Sequence, residues 1–367
     1  MRLSSRFHAA LIVAITAAIA PACTQRAPAA RLRDPATPTV PHADAQYHSA
    51  LTGSIRGLGG DTASMVKARV TEQLPAPMNP GRHRVEIVSS VDRTRQPSYI
   101  TVPAPPDKSA PTPLVVVLHT WSFDLEQRQP ILEAEVAARG WLLLAPNFRG
   151  RNDRPEACGS AIAQQDVLDA VEWVRKHYAV DERRIYVLGM SGGGYMTMLM
   201  AARHPDLWAA ASAWVGISDL VEWYASHGAD NFGLMMRGCF GAAPDQDRRA
   251  DAEAKIRSPV RYLSPTLRVP LELAAGRFDS TVRVTHSLRA MQAIAPSAIS
   301  DDEISQLASA GPGLLRPAVG DTASDPLLTR RIFLRRSSGR FRVTIFDGGH
   351  EWLPLAAVDW LARHRKP

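Results

Sequence analysis

Hydrophobic positions along the chain follow two periods, which predicts alternating strands and helices. Apolar runs that predict buried strands occur at residues 114–118, 141–145, 185–188, 208–215, 271–275 and 341–346. Apolar positions at helical spacing predict helices at residues 126–139, 166–177, 195–203 and 356–363. Two alternating segments, 82–89 and 98–103, predict antiparallel edge strands. The order predicts an α/β fold with a mostly parallel, twisted sheet of about eight strands and helices on both faces.

Composition divides the chain into three parts. Residues 1–22 have a basic start, a short apolar run and small residues at the end, which predicts a signal peptide. The apolar run is too short for a membrane span. Residues 23–80 begin with a stretch rich in Ala, Pro, Thr and Arg, and we expect a tether and an N-terminal extension. Residues 81–367 carry the alternating pattern, which predicts one large α/β domain.

The cysteines bear on where the protein functions. Cys23 follows Ala-Pro-Ala and this box resembles the cleavage site of bacterial lipoproteins, which predicts lipid attachment at Cys23. Cleavage after an A-x-A motif, with release, is the alternative. Both lipid attachment and cleavage predict export, as a periplasmic or outer-membrane lipoprotein or as a secreted protein. In an oxidising compartment Cys158 and Cys239 could pair, and two buried unpaired thiols are an equal alternative.

Charge and motif content exclude several classes of partner. The net charge is +7, but the Lys and Arg residues are scattered rather than gathered in a stripe, so we expect no nucleic-acid partner. His204, His227 and His286 lack the paired spacing of metal ligands, which predicts no metal site. The chain contains neither a P-loop motif nor a dinucleotide fingerprint, so no cofactor is expected.

The segment Ile185–Gly194 carries the strongest functional motif. Its strand runs into Gly-Met-Ser-Gly-Gly at residues 189–193, and a predicted helix follows. Strand, G-x-S-x-G and helix, in that order, are typical of a nucleophile elbow. The serine of such an elbow lies on a sharp turn, where neighbouring glycines avoid a clash. Ser191 is therefore the predicted nucleophile, and a plain glycine-rich turn is the alternative.

A serine nucleophile needs a base and a carboxylate that orients the base, and in such folds they follow it as Asp or Glu and then His. His350 comes directly after the last predicted strand and two glycines, and is the predicted base. Asp279 follows the strand at 271–275 and is the predicted acid. Asp219, after the preceding strand, competes for that role, but it also suits a helix N-cap.

The oxyanion of an acyl-transfer reaction needs two N–H donors. We predict the backbone N–H groups of Gly192 and of Trp121, in the loop after the strand at 114–118, with Thr120 as the alternative to Trp121. His119 is interpreted as a structural loop residue rather than a second base. The long excursion at residues 219–267 is expected to shape the substrate site, whereas the loop-rich segment 295–335 is assigned no role.

Several segments in combination resemble the prolyl oligopeptidase family. These are Ala-Pro-Asn-Phe-Arg-Gly at 145–150, the elbow and its helix at 184–197, and the segments 202–208, 215–220, 276–282 and 348–350. The resemblance spans about residues 81–367. It implies an α/β-hydrolase fold and a Ser191–Asp279–His350 triad that forms an acyl-enzyme, acting on a small-molecule, peptide or ester substrate.

The chain departs from the family pattern in three ways. Gly192 stands where many members carry an aromatic residue, and His119-Thr120 replaces the usual His-Gly-Gly run. About 60 residues precede the domain, too few for the β-propeller that restricts family peptidases to short peptides. Some single-domain relatives are esterases acting on acetylated or feruloylated sugars. The alternatives are thus a peptidase, a carbohydrate or feruloyl ester hydrolase and, from another class, a non-catalytic binding lipoprotein.

Overall fold

The computed structural model describes residues 79–104, 110–309 and 325–367. The predicted signal peptide at 1–22, the lipidation candidate Cys23 and nearly all of the extension at 23–80 lie outside the described residues. No helix in the described part of the chain combines the length and the apolar character needed to cross a membrane.

A single nine-stranded sheet organises the described residues. Its strands are β1 Gly81–Val88, β2 Arg95–Val102, β3 Thr112–Leu118, β4 Leu142–Pro146, β5 Val180–Met190, β6 Ala210–Trp214, β7 Leu271–Gly276, β8 Ile332–Ser338 and β9 Phe341–Phe346. They lie in the order β1-β2-β4-β3-β5-β6-β7-β9-β8. The β1, β2 and β8 strands pair antiparallel with their neighbours and all other pairs are parallel, which confirms the predicted mostly parallel sheet.

Helices cover both faces of the sheet, as the apolar runs predict. Within the described ranges they are α1 Pro130–Ala138, α2 Ala161–His177, α3 Gly192–Arg203, α4 Leu220–His227, α5 Asn231–Phe240, α6 Arg248–Arg257, α7 Val284–Ile294, α8 Asp301–Ser309 and α9 Pro354–Ala362. Alternate residues of β3 enter two separate hydrophobic clusters. The cluster of Val116 includes residues of α2, α3 and α7, whereas the cluster of Val115 includes residues of α1 and α9. Because both faces of β3 are buried, its sequence is continuously apolar.

The excursion between β6 and β7 folds into α4, α5 and α6. Each of these helices begins after an aspartate whose side chain accepts two backbone N–H groups of the first turn, namely Asp219, Asp230 and Asp247. Such caps satisfy N–H groups that have no partner within the helix. Short helices can therefore start at defined positions beside the carboxyl ends of the strands, where loops of this fold class form binding sites.

One strand lies where the sequence predicts only loop. The segment 295–335 contains α8 and the start of β8, an edge strand that pairs antiparallel with β9 through a turn at Gly339. Ile332 and Leu334 of this strand are buried, but arginines occupy its middle. Arg335 pairs with Asp325 at 3.1 Å. These charged positions interrupt the apolar alternation, so the hydrophobic pattern does not predict a strand here.

A disulfide joins Cys158, in the loop before α2, to Cys239 near the end of α5. The two Cα atoms are 6.0 Å apart. Of the two alternatives that the sequence leaves open for these cysteines, the structure therefore has the pair. The bond attaches the excursion between β6 and β7 to the loop that follows β4.

Candidate active site

Ser191 lies at the junction between β5 and α3, in the conformation that an elbow requires. Its φ is 56° and its ψ is −121°. This is a strained backbone for a residue with a side chain, and such strain persists only where the surroundings enforce it. The Ser191 N–H donates to the Trp214 carbonyl of β6 at 2.8 Å. A Cβ on Gly189 would lie 2.6 Å from the carbonyl carbon of Gly193, so the turn closes only with glycine there.

The backbone of Gly192 lies in close contact with the backbone of Trp121. A Cβ built on Gly192 would be 2.3 Å from the backbone nitrogen of Trp121. No side chain fits in that space, and this explains the glycine where many family members have an aromatic residue. The Thr120 N–H donates to Oε1 of Gln127 at 2.9 Å, whereas the Trp121 N–H has no acceptor within the described ranges. Trp121, rather than Thr120, therefore has a free donor beside the serine.

Asp279 and His350 meet at the carboxyl edge of the sheet, in the loops after β7 and β9. Nδ1 of His350 is 2.8 Å from Oδ2 of Asp279. The other carboxylate oxygen accepts the N–H groups of Thr281 at 2.8 Å and Val282 at 2.9 Å. The Asp279 side chain is fully buried, and the His350 side chain is 25% exposed. Of these described side chains, His350 is hydrogen-bonded to Asp279 but not to Ser191. The hydrogen bond between a catalytic base and its nucleophile is often long in the absence of substrate.

The other carboxylates near these strands already have partners. Asp219 caps α4 by accepting the N–H groups of Val221 at 2.8 Å and Glu222 at 3.2 Å. Glu272 lies within β7, where it accepts the Ser212 hydroxyl at 2.6 Å and pairs with Arg342. The competitor Asp219 thus serves as a helix cap, which is the structural alternative that its sequence also suggests.

His119 is a buried part of the oxyanion loop. Its ring stacks on Phe148 with a centroid distance of 3.9 Å. Its two ring nitrogens lie 3.0 Å from the Thr120 carbonyl oxygen and 2.9 Å from that of Asn147. Burial lowers the pKa of His119 below 6.5, although the two carbonyls oppose this shift. The ring is therefore neutral at neutral pH and carries one N–H, so it donates to one of these two carbonyls. Its contact with Asn147 joins the loop after β3 to the loop after β4.

The excursion between β6 and β7 contacts both loops of the site. Trp223 of α4 packs edge-on against Trp121, with ring centroids 4.9 Å apart. The Trp223 indole N–H donates to the Thr281 carbonyl at 2.9 Å, next to the acid loop. On α5, the Met235 sulfur accepts the Ser122 hydroxyl at 3.7 Å. The excursion therefore packs against both the oxyanion loop and the loop that carries Asp279.

Two residues that sequence reasoning missed hold the oxyanion loop. They are Gln127, which accepts the Thr120 N–H, and Asn152, which donates to the Trp121 carbonyl. No motif or periodicity marks either residue, because each acts through one contact between loops. Within the described ranges, no three His, Cys, Asp or Glu side chains gather in a way that could hold a metal ion.

Comparison with known proteins relates the sequence to one family. The family model described as the prolyl oligopeptidase family matches residues 123–308, just over half of the chain. Dipeptidyl aminopeptidase BIII of Pseudoxanthomonas mexicana is 29% identical over 233 residues, which cover 57% of this chain and 32% of that protein. A probable acetylxylan esterase A of Aspergillus flavus is 41% identical over 51 residues, 14% of this chain and 17% of that protein.

A solved structure shows the same fold. The chain resembles a puromycin-hydrolyzing peptidase of Mycobacterium tuberculosis, with a TM-score of 0.52 and 17% identity over 77% of this chain and 37% of that one. This likeness concerns the fold alone, and confirms the α/β-hydrolase architecture. The chain spans less than two thirds of the length of the first curated relatives it matches. By the extent of the family match, the chain belongs to the prolyl oligopeptidase family of serine hydrolases.

Proposed function

We propose that the protein is an exported hydrolase that cleaves peptide or ester bonds of small substrates through an acyl-enzyme formed on Ser191. The observation that carries this proposal is the 2.8 Å contact between His350 Nδ1 and Asp279 Oδ2. It lies at the carboxyl edge of the parallel strands, the edge at which Ser191 follows β5. A fixed, buried carboxylate behind an accessible imidazole is the arrangement that activates a serine hydroxyl.

In the proposed mechanism, Oγ of Ser191 attacks the substrate carbonyl carbon and its proton passes to Nε2 of His350. Asp279 holds the Nδ1–H and stabilises the imidazolium that results. The carbonyl oxygen becomes an oxyanion that accepts the N–H groups of Gly192 and Trp121. The tetrahedral intermediate then expels the amine or alcohol, which takes the proton from His350. Water, deprotonated by His350, then attacks the carbonyl carbon of the acyl-enzyme. The acid leaves as Ser191 takes the proton back from His350.

Two substrate classes have support. The match to the dipeptidyl aminopeptidase covers more than half of this chain, and it favours peptide bonds as the first candidate. The match to the acetylxylan esterase is shorter but higher in identity, and it favours an acetyl ester of a carbohydrate as the second candidate. The same triad serves both reactions, since both proceed through an acyl-enzyme.

Hydrolysis by the full chain tests the proposal. A panel would contain dipeptidyl and N-acylaminoacyl p-nitroanilides, p-nitrophenyl acetate, acetylated xylo-oligosaccharides and methyl ferulate, each assayed with wild type and Ser191→Ala. We expect turnover of at least one class, and a loss of kcat of about 10⁴-fold or more in the variant. The class with the highest kcat/KM identifies the substrate. A wild type that hydrolyses nothing in the panel would favour the binding lipoprotein instead.

Export is part of the proposal and has its own support. The basic and apolar start of the sequence is typical of a signal peptide. The Cys158–Cys239 disulfide is a bond that persists mainly in oxidising compartments. Metabolic labelling of a bacterial host with an alkynyl fatty acid would test attachment at Cys23. Label on wild type and not on Cys23→Ala supports the lipoprotein, whereas unlabelled protein in the periplasm or medium supports cleavage and release.

A further inference from the structure

The oxyanion loop has no glycine to set its shape. Residues 119–122 read His-Thr-Trp-Ser, where the family has His-Gly-Gly. The Trp121 N–H shares one planar peptide unit with the Thr120 carbonyl, so its direction depends on how that plane is turned. Other residues must fix the plane, because an N–H donor is useful only when it points at the oxyanion.

Hydrogen bonds hold the backbone on both sides of this peptide plane. Before it, the Thr120 N–H donates to Oε1 of Gln127 at 2.9 Å. After it, the Trp121 carbonyl accepts the backbone N–H of Asn152 at 3.0 Å and its side-chain Nδ2 at 3.4 Å. The Trp121 N–H between these anchors has no acceptor in the described part of the chain. Its neighbours are thus satisfied, whereas the Trp121 N–H lies next to Gly192 of the elbow without an acceptor among the described residues.

Asn152 is itself held rigidly. It is 1% exposed, and its Oδ1 accepts the backbone N–H of Cys158 at 2.7 Å. Cys158 is bonded to Cys239 of α5. On the same helix, a Cβ added to Gly238 would lie 2.3 Å from the Asp153 carbonyl oxygen, so the helix packs closely on this loop. Asn152, which donates to the Trp121 carbonyl, is therefore held in place by a covalently crosslinked and closely packed loop.

From these contacts we propose that Gln127 and Asn152 are positioning residues, which orient the Trp121 N–H toward the oxyanion of the tetrahedral intermediate. The inference rests on the proposed function, because it assumes that Trp121 is one of the two donors. Neither side chain needs to touch the substrate. Gln127 holds the Thr120 N–H through its side chain. Asn152 holds the Trp121 carbonyl through its own backbone N–H and, at 3.4 Å, its Nδ2, and its buried side chain fixes that residue to Cys158.

The proposal predicts a particular kinetic signature. Gln127→Ala frees the Thr120 N–H. Asn152→Ala keeps the backbone bond to the Trp121 carbonyl but loses the Nδ2 contact and the bond that fixes residue 152 to Cys158. Nδ1 of His119 lies 3.0 Å from the Thr120 carbonyl oxygen in the same peptide unit and remains in both variants, so the plane turns only a little. The donor is then displaced when charge develops on the oxygen. A small misplacement of this kind costs about 10- to 100-fold in kcat. Because the bond forms only in the transition state, KM should change by less than about threefold. Affinity for an analogue that carries the oxyanion should fall by the same factor as kcat.

The experiment compares Gln127→Ala and Asn152→Ala with two controls. Gln127→Glu keeps an oxygen that can accept the Thr120 N–H and should restore kcat to within about threefold of wild type. Gln164→Ala removes a buried amide that donates to the Gly159 carbonyl at 2.8 Å but does not touch the oxyanion loop. For each variant, kcat, KM, Tm and the inhibition constant of an aryl-alkyl trifluoromethyl ketone are measured.

We expect both alanine variants to lose kcat and ketone affinity in parallel, while Gln164→Ala lowers Tm only. Wild-type kcat and ketone affinity in both alanine variants would overturn the inference, and so would equal losses in Gln164→Ala. Gln127 is only partly buried, so Gln127→Ala decides the matter if Asn152→Ala does not fold. An active wild type with unaffected variants overturns the inference alone. An inactive wild type overturns the proposed function and the inference together.

Discussion

Nδ1 of His350 lies 2.8 Å from Oδ2 of Asp279, although 71 residues separate them in the chain. The second oxygen of Asp279 is occupied by two N–H groups of its own loop. The carboxylate is therefore oriented before it meets the imidazole, and only one oxygen is left for the histidine. Asp219 also accepts two N–H groups through one oxygen, so it is the contact of Oδ2 with Nδ1 that makes Asp279, and not Asp219, the carboxylate that can fix the tautomer of His350.

Replacing the carboxylate should therefore be costly. We expect Asp279→Asn to lower kcat by about 10³- to 10⁴-fold with little change in KM, because the amide would favour the wrong tautomer of His350. The matched control is Asp219→Asn, which alters the cap of α4 and should lower stability by less than about 1 kcal/mol. Steady-state kinetics and urea unfolding of both variants provide the test. Activity lost in Asp219→Asn and kept in Asp279→Asn would reverse the assignment.

The close approach of Gly192 to Trp121 leads to a second prediction. In Gly192→Ala the new Cβ would lie 2.3 Å from the Trp121 nitrogen, so the oxyanion loop must move. We expect kcat/KM to fall by roughly 100-fold. Gly140→Ala is the control, because Gly140 has a φ of +69° and nothing within 4 Å of an added Cβ. It should cost about 1 kcal/mol of stability and leave activity intact. Full activity in Gly192→Ala would refute the adjacency of the two donors.

A third prediction concerns the Cys158–Cys239 disulfide, whose cysteines are 81 residues apart. A crosslink over a loop of this size restricts the unfolded chain, and its loss should lower the free energy of unfolding by about 2–5 kcal/mol. Urea unfolding of the wild type with and without a reductant, beside the Cys158→Ala/Cys239→Ala double variant, measures the effect. Reduced wild type and the double variant should agree. Identical unfolding of oxidised and reduced wild type would contradict the prediction.

Acidic conditions should destabilise the fold through two buried histidines, His119 and His286, and two partly buried ones, His204 and His364. Burial lowers the pKa of His119, His204, His286 and His364 below 6.5. Below that pH the unfolded chain binds protons that the folded protein does not, so the free energy of unfolding falls. Each histidine contributes at most about 1.4 kcal/mol per pH unit. Urea unfolding at pH 7.5 and 5.5 measures the loss, which should shrink in His204→Asn. Greater stability at pH 5.5 would contradict the prediction.

Much of the fold can be predicted from the sequence because buried parallel strands are continuously apolar. The run in β3 is covered on both faces, and its residues show no alternation. The elbow can be predicted because a sharp turn between strand and helix limits which residues fit around Ser191. Strand β8 could not be predicted, because arginines that pair with acidic residues elsewhere occupy its middle.

The supports of the oxyanion loop are beyond sequence reasoning for a different reason. Asn152 and Trp121 are 31 residues apart, and one side chain meets one carbonyl. A single contact between irregular loops leaves no periodic pattern in the sequence, and the residue types that make the contact are common in loops. The same holds for Asp219, which the sequence leaves as a competitor of Asp279. Both carboxylates accept the N–H groups of the residues two and three positions ahead, and only the contact of Asp279 with His350 distinguishes the partner of histidine from a cap.

The most direct test of the account is covalent labelling of the full chain with a fluorophosphonate, followed by peptide mass spectrometry. Wild type should carry one adduct, on Ser191, and Ser191→Ala should carry none. His350→Ala should react at least about 100-fold more slowly, because the hydroxyl loses its base. An adduct on another residue, or a native protein that does not react under conditions that label an active serine hydrolase, would contradict Ser191 as the nucleophile.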